Sequence, residues 1–505
     1  MRVHYFIMVS GIKGSIPANP FRRHAVRIRC VREGRIGVVS QSDQAFLPEG
    51  VSMEQLHEKF HYRTLEQLQA RAAELGVSLP FAQDTHVLAE PVKVRNLVFP
   101  NRLGIAPMEG ADSLPNGSPS DYTTQRYVNE AIGGSAVIWF EAISIVEEGR
   151  SSRTQLMLTK DNLEDYKIFC AKIKEAGLKA NGFAPYLIMQ ANHSGRYSNP
   201  DNKPAPIIAY RNPVYEQYRA ADDSCIATDD YLKGLEEKFG EAAALAKEAG
   251  FDAVDIKSCH GYLLAELSSA FERPGLYGGS FENRTRLLRN GVQAAKVYED
   301  DHFMVTCRLG MYDGTPYPYG WGVKRDGSTE PDLTEAKMLV RQLHSEYGMD
   351  MINLTMGNPY VTTHVTRPYD AGKYLPDEHP LVGIGRMIDG IAEVRREVPD
   401  MVVYGSAPSY LRQYADLFTA GAVEQGMIDG MLFGRMAFAD PDFANEILRD
   451  GRIDPKRVCL TCGKCGDLIR AHKPTGCVVR NYKTFGGFYQ EFVEEKKGLP
   501  ENFRG

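Results

Sequence analysis

The tightest constraint on this chain is an alternation of two patterns. From Val92 onward, short apolar runs alternate with amphipathic helical stretches. Eight runs qualify as strands: Arg102 to Ala106, Ala136 to Ile143, Pro185 to Gln190, Ala253 to Ile256, Met304 to Arg308, Met351 to Leu354, Val402 to Gly405 and Gly430 to Gly434. Helices such as Leu163 to Ala176 and Glu335 to Tyr347 fit between most of them. This is the pattern of repeated βα units. Periodicity alone admits a closed barrel or an open doubly wound sheet, and the count of eight favours a (β/α)8 TIM barrel, an α/β fold.

A barrel of this kind keeps its chemistry where its strands end. Ala253 to Ile256 is entered from a helix whose Leu235, Phe239, Ala242 and Ala246 share one face, with Gly250 as the expected C′ residue. Lys257, His260 and Tyr262 follow within six residues. A phenol stays protonated at neutral pH, so Tyr262 can supply a proton. Elsewhere, Pro107, Met108 and Glu109 follow the first strand, Ala142 lies near the end of the second, Gln190 ends the third and Arg308 the fifth. A glutamine amide both donates and accepts, and a fixed arginine stabilises negative charge on a reduced cofactor. Gly405, Ser406 and Ala407 follow the seventh strand, and Gly434 and Arg435 the eighth, where barrels bind phosphate through backbone N–H groups. Each of these residues alone reads as structural; their common position at strand ends makes them one candidate site.

The cysteines divide into two sets. Cys30, Cys170, Cys225, Cys259 and Cys307 are scattered, as small core or site-lining residues are. Cys459, Cys462 and Cys465 lie within seven residues, and Cys477 follows at a distance. That spacing suits a 4Fe–4S cluster, which takes four thiolates. Structural zinc, the alternative, more often uses two separated Cys-x-x-Cys knuckles. The rest of the cysteine usage gives no disulfide scaffold, and a reducing cytoplasm is expected. The net charge of −6 gives no support to nucleic-acid binding. No apolar run approaches the roughly 20 residues that span a bilayer, and no signal-peptide pattern opens the chain.

Three regions follow: residues 1–90, an α+β extension; 91–450, the barrel; and 451–505, the iron–sulfur segment and tail. In the extension, Val26 to Cys30 and Ile36 to Val39 flank a turn and suggest a hairpin. Ser52 to Ala73 favours a helix with Ser52 at its N-cap. With no catalytic motif, the extension suits packing or homo-oligomerisation.

Two motifs now combine. Lys-Ser-Cys-His-Gly-Tyr-Leu-Leu at residues 257–264 and Tyr-Gly-Gly-Ser-Phe-Glu-Asn-Arg at 277–284 stand in order and at a matching separation. The pair resembles the old yellow enzyme family of NADH:flavin oxidoreductases. The likeness is greater to its iron–sulfur branch, which includes 2,4-dienoyl-CoA reductase and trimethylamine dehydrogenase, and it covers Val92 to Arg480. It implies FMN, with Pro107, Met108 and Ala142 against the flavin ring, Gln190 and Arg308 at its pyrimidine edge, and the loops at 405–407 and 434–435 on its phosphate. Tyr262 matches the family's proton donor, and His260 a ligand of the substrate carbonyl. Lys257 departs from the usual histidine or tyrosine. Glu109 departs from the usual cysteine or threonine, and a carboxylate there would disfavour an anionic reduced flavin unless protonated or paired with a cation such as Lys257.

The resemblance thus implies an ene-reductase: hydride from FMN N5 to the β-carbon of an enone or enoate, a proton from Tyr262 to the α-carbon, and electrons relayed by the cluster. Oxidation of an N-methylated amine is the enzymatic alternative, which Lys257 disfavours by repelling a cationic substrate. A barrel that has lost catalysis and serves as an electron-transfer or scaffold subunit is the other, and the retained Tyr262, Gln190, Arg308 and four cysteines oppose it. No dinucleotide fingerprint follows Cys477, so the C-terminal FAD domain of 2,4-dienoyl-CoA reductase is not expected. The expected electron donor is a separate ferredoxin, flavodoxin or FAD-containing reductase. Between Lys456 and Lys483 stand seven Lys or Arg against the one acid Asp467, a charge that would steer an acidic carrier or merely offset the thiolates.

Overall fold

The computed structural model describes residues 57–498 and, ahead of them, an antiparallel pairing of Arg29–Arg32 with Arg35–Val38. That pairing is the hairpin expected in the extension, and it belongs to a compact unit, Met1–Ser52, separate from Met53–Gly505. Among the described residues of the larger unit the first helix is α1 (Leu65–Glu74), while Ser52 and the beginning of the expected helical stretch lie outside the described residues. Thr64 is its N-cap, accepting from the Gln67 N–H at 3.3 Å, while the Gln67 side chain accepts from the Arg63 N–H. The Thr-x-x-Gln signal thus sets the start. Leu68 and Ala72 on α1 join the main core together with Phe60, Tyr62 and Leu88, so this part of the expected extension packs directly on the barrel.

Eight parallel strands close in sequence order: β1 (Leu103–Ile105), β2 (Val137–Ser144), β3 (Tyr186–Asn192), β4 (Ala253–Ile256), β5 (Met304–Gly310), β6 (Met351–Thr355), β7 (Val402–Gly405) and β8 (Gly430–Phe433). The ring closes where β8 pairs with β1, Met431 opposite Leu103. The expected strands all form. Gln190 and Arg308 do not end theirs, however; β3 runs on to Asn192 and β5 to Gly310, because ladder bonds continue past the apolar run.

The helices α2 (Asp121–Ile132), α3 (Leu163–Asn181) and α4 (Asp229–Ala249) begin the outer ring. α4 starts on Thr228, whose hydroxyl accepts from the Tyr231 N–H, and stops at Gly250 in the left-handed region, φ 93°. Its Leu235, Phe239, Ala242 and Ala246 are buried against the barrel, as the spacing requires.

Side-chain alternation splits the barrel core in two. Outward residues such as Val254, Ile256 and Val305 meet the helices in the main core. Inward residues Trp139, Ile188, Ala253, Met304, Met351, Tyr404 and Leu432 form a separate plug. A hairpin of Val92–Val94 with Leu97–Phe99 lends Val92, Val94 and Phe99 to the same plug and so stoppers the strands' N-terminal end. Only the C-terminal end is left for a cavity.

Candidate active site

Above the plug, the next inward layer holds a carboxylate. Asp255 on β4 is fully buried, and three strands supply its donors. Oδ2 accepts from Trp139 Nε1 on β2 at 2.6 Å and from Gln190 Nε2 on β3 at 2.7 Å, and Oδ1 accepts from the Arg308 N–H on β5 at 2.6 Å. Burial pushes its carboxyl up to about 6, and the donors, with the Arg308 charge, pull against that rise.

Past Asp255, a cavity of about 490 Å³ opens at the C-terminal ends of the strands. Lys257, His260, Tyr262, Gln190 and Arg308 line it, as do Ala106, Pro107, Met108, Glu109 and Ala142. The β4 exit therefore brings its three candidate side chains into one space with the other strand ends. Lys257 is 6% exposed, its Nζ is 4.0 Å from the centre of the Tyr262 ring, and burial draws its pKa down to about 8. His260 and Gly261 are both left-handed, φ 67° and 69°. The turn they make aims the imidazole inward, where its Nε2 has no partner among the described residues. Burial and the nearby Arg308, Lys257 and Arg367 hold that imidazole neutral. Burial holds the Tyr262 phenol protonated, far above its ordinary value.

The opposite wall is braced from behind. Glu141 on β2 accepts from the Gly110 N–H at 2.8 Å, from Arg126 at 2.5 Å and from the Tyr127 hydroxyl at 3.2 Å. This fixes the Pro107–Gly110 segment. Between Trp139 and Ala142, β2 shifts register, so Trp139 points into the plug, Glu141 outward and Ala142 into the cavity. Glu109 accepts from the Ser151 hydroxyl. Loss of solvent raises its pKa, against the pull of Ser151 and Lys257. It forms no ion pair with Lys257, although each feels the other's charge.

At the far end stand Ala407, Ser409, Gly434 and Arg435. Ala407 is left-handed, φ 69°. A Cβ on Gly434 would lie 3.0 Å from Met108 Sδ, so a side chain there would press on the Met108 wall. Gly405 and Ser406 do not line the cavity: the Ser406 hydroxyl is tied to Asn353, and Ser409 faces inward instead. Sequence reasoning also missed Arg219, Arg367, Lys373 and Arg470, which make the mouth strongly cationic, and Tyr197 and Tyr360. Arg219, Arg367, Lys373 and Tyr360 stand in loops, Tyr197 ends a short 3-10 turn, and Arg470 ends the short helix Lys464–Arg470, so no periodicity marks these side chains as inward.

The residues fit a planar cofactor with a phosphate tail. Arg308 Nε is buried without a partner among the described residues, Gln190 presents an amide, and the Ala407–Arg435 end offers a cation to an anion. Next to this end, Cys459, Cys462, Cys465 and Cys477 line one small second cavity, and Arg435 lines both. Cys459 Sγ accepts from the Thr461 N–H and Cys477 Sγ from the Arg480 N–H, each at 3.3 Å. Among the described residues no three His, Cys, Asp or Glu side chains meet closely enough to hold one metal ion. A four-iron cluster takes four thiolates, and these four cysteines share the lining of one cavity.

Three of the seven local cations are already balanced. Arg457 pairs with Asp440 and Glu446, Lys473 with Glu491 and Glu495, and Arg470 with Asp467. Among the described residues no helix is long and apolar enough to cross a membrane.

A closed eight-stranded α/β barrel with titratable groups at its strand ends belongs to the class of TIM-barrel enzymes. Residues 87–386, more than half of the chain, match the NADH:flavin oxidoreductase / NADH oxidase family, and the chain belongs to it. It is 30% identical to an NADPH dehydrogenase of Clostridium acetobutylicum over 41% of this chain and 59% of that one. It is 25% identical to the cinnamate reductase of Clostridium sporogenes over 78% of this chain and 57% of that one. Its fold is similar to that of 2-naphthoyl-CoA reductase solved with 2-naphthoyl-CoA, at a TM-score of 0.65 and 18% identity, covering 80% of this chain and 58% of that one. The chain spans less than two thirds of the length of these relatives.

Asp255→Asn keeps the side-chain volume but turns an amide N–H₂ toward donors. It should strand at least one of them, at a cost of about 1–3 kcal/mol, and release the grip on Gln190 and Arg308. The expected result is lower flavin content after gel filtration and a lower thermal midpoint. Native values for both would remove Asp255 as the organising residue.

Proposed function

We propose that this chain is an FMN- and 4Fe–4S-dependent ene-reductase that acts on enones or enoates. The observation that carries the reading is a buried Tyr262, whose burial favours the neutral phenol, sharing one cavity with His260, Lys257 and the Pro107–Met108 wall. When bound, FMN supplies the electron pair and hydrogen that reach the β-carbon. Gln190 and Arg308 would hold its pyrimidine edge, Ala142 and Met108 would pack on the ring, and Ala407, Ser409 and Arg435 would take the phosphate. His260, neutral and with a free nitrogen, donates a hydrogen bond to the substrate carbonyl oxygen, and Lys257 adds positive charge. Tyr262 gives its proton to the α-carbon. The similarity to cinnamate reductase supports an enoate. Amine oxidation fits less well, because the face of the Tyr262 ring that could receive a substrate cation already faces Lys257.

The four cysteines around one cavity, walled off from the flavin site by Arg435, support a 4Fe–4S cluster that feeds electrons inward. Lys456, Arg480 and Lys483 are exposed beside the cluster segment, together with the apolar Val479 and Tyr482. This surface supports docking of an acidic protein donor such as a ferredoxin, flavodoxin or FAD-bearing reductase.

Three outcomes are expected. Anaerobically reduced protein should be reoxidised by 2-cyclohexen-1-one, and Tyr262→Phe should slow that step about 10²–10⁴-fold with flavin content unchanged; a native rate removes Tyr262 from the reaction. Affinity for trans-cinnamate should fall as pH rises through about 8, where the Lys257 ammonium is lost. Lys257→Met should bind weakly with a flat profile, and a pH dependence kept in that variant would assign it to another group. Reduction by a ferredoxin should slow with salt and disappear in Cys465→Ala, while dithionite still reduces the flavin. Salt-independent reduction by NADH in that variant would make the cluster structural.

A further inference from the structure

The loop after β6 docks on the turn that carries Tyr262. Asn358 presses against Gly261, where a Cβ would stand 2.1 Å from Asn358 Nδ2, so only glycine permits the approach. Asn358 then organises two tyrosines. Its Nδ2 donates to Tyr197 Oη at 3.3 Å, and its Oδ1 accepts from the Tyr360 N–H at 3.0 Å. The Tyr360 ring stacks on Tyr197, with centroids 3.6 Å apart and planes 17° from parallel. Beside Tyr197, the fully buried Arg196 is ion-paired with Glu266, which lies on the short helix Leu263–Ser268 that begins just after Tyr262. The two loops are therefore locked together. The product of this locking is one contact: Tyr360 Oη stands 2.8 Å from Tyr262 Oη.

Tyr262 is 6% exposed, and Tyr360 is the one hydrogen-bond partner of its hydroxyl among the described residues. Lys257 Nζ lies over the Tyr262 ring rather than at its hydroxyl and is not placed to hand over a proton. Tyr360 lines the same cavity and is half-buried, less enclosed than Tyr262.

We infer that Tyr360 is a proton relay that restores to Tyr262 the proton given to substrate. The inference rests on the reading of Tyr262 as the proton donor. The Tyr262 O–H bond breaks as the α-carbon–hydrogen bond forms. The resulting phenolate takes the Tyr360 proton across the 2.8 Å contact, and Tyr360 takes one from water at the mouth. One solvent proton is consumed per alkene reduced, and nothing is oxidised in the relay itself. Burial and the Glu109 charge oppose the transient Tyr360 phenolate, which the hydrogen bond to Tyr262 and the charges of Arg367 and Arg219 offset in part, so its lifetime is short.

The test compares native holoenzyme, Tyr360→Phe, Tyr262→Phe and the double variant, with 2-cyclohexen-1-one as oxidant and reduced methyl viologen as electron source. A relay is needed only after the first proton has gone. Tyr360→Phe should therefore bind the enone as tightly as native enzyme and reoxidise at nearly the native rate in a single turnover. Its steady-state rate should fall roughly tenfold, with a larger solvent isotope effect. The double variant should be no slower than Tyr262→Phe, because Tyr360 acts only through Tyr262. A native steady-state rate in Tyr360→Phe overturns the relay. So do equal losses in single and multiple turnover that add to those of Tyr262→Phe, which would put Tyr360 on the substrate itself. Failure of the parent reading is seen separately, as a native single-turnover rate in Tyr262→Phe.

Discussion

The site depends on one buried carboxylate. Asp255 sits where the apolar plug ends and the cavity begins, and it ties β2, β3 and β5 to β4 through Trp139, Gln190 and the Arg308 N–H. A buried charge is costly unless it is fully hydrogen-bonded, so these donors and Asp255 require one another. The same bonds fix the amide of Gln190 and the backbone of Arg308 before any ligand arrives. Preorganisation of this kind is what lets polar groups act on developing charge without reorganising.

Above that layer the electrostatics are unbalanced. Lys257, Arg308, Arg435, Arg219 and Arg367 share the cavity with the single carboxylate of Glu109. Burial opposes their charges, as the lowered pKa values of Lys257, Arg308 and Arg435 record. A cavity in this state is complementary to negative charge. The cysteine cavity shares the Arg435 wall, so a change of charge on either side is felt on the other. The cysteine segment is itself held to the barrel, by Arg457 on Asp440 and Glu446 and by Val458 and Cys459 in the main core.

The strands fix the inner wall, and the loops decide what reaches it. Asn358 against Gly261 and Arg196 against Glu266 join the loops after β3, β4 and β6 into one unit that holds three tyrosines together. Such contacts join segments far apart in sequence and have no local signature.

What the sequence determined by itself follows from short-range physics. Apolar runs, helical spacing and the Gly250 cap give eight βα units, and strand-end chemistry gives Lys257, His260, Tyr262, Gln190 and Arg308, because a strand's C-terminal end is the only open end of such a barrel. What tertiary structure alone decided needed neighbours. The register shift in β2 turned Glu141 outward and Ala142 inward, reversing what strict alternation from Trp139 would give. The Asn353 side chain claimed Ser406 and left Ser409 to face the cavity. Thr64, with its Gln67 partner, caps α1, inside the stretch that composition alone marks as helical. The cations of the mouth and the stacked Tyr197–Tyr360 pair come from loops and short helical turns, where direction is set by long-range packing rather than by any period in the chain.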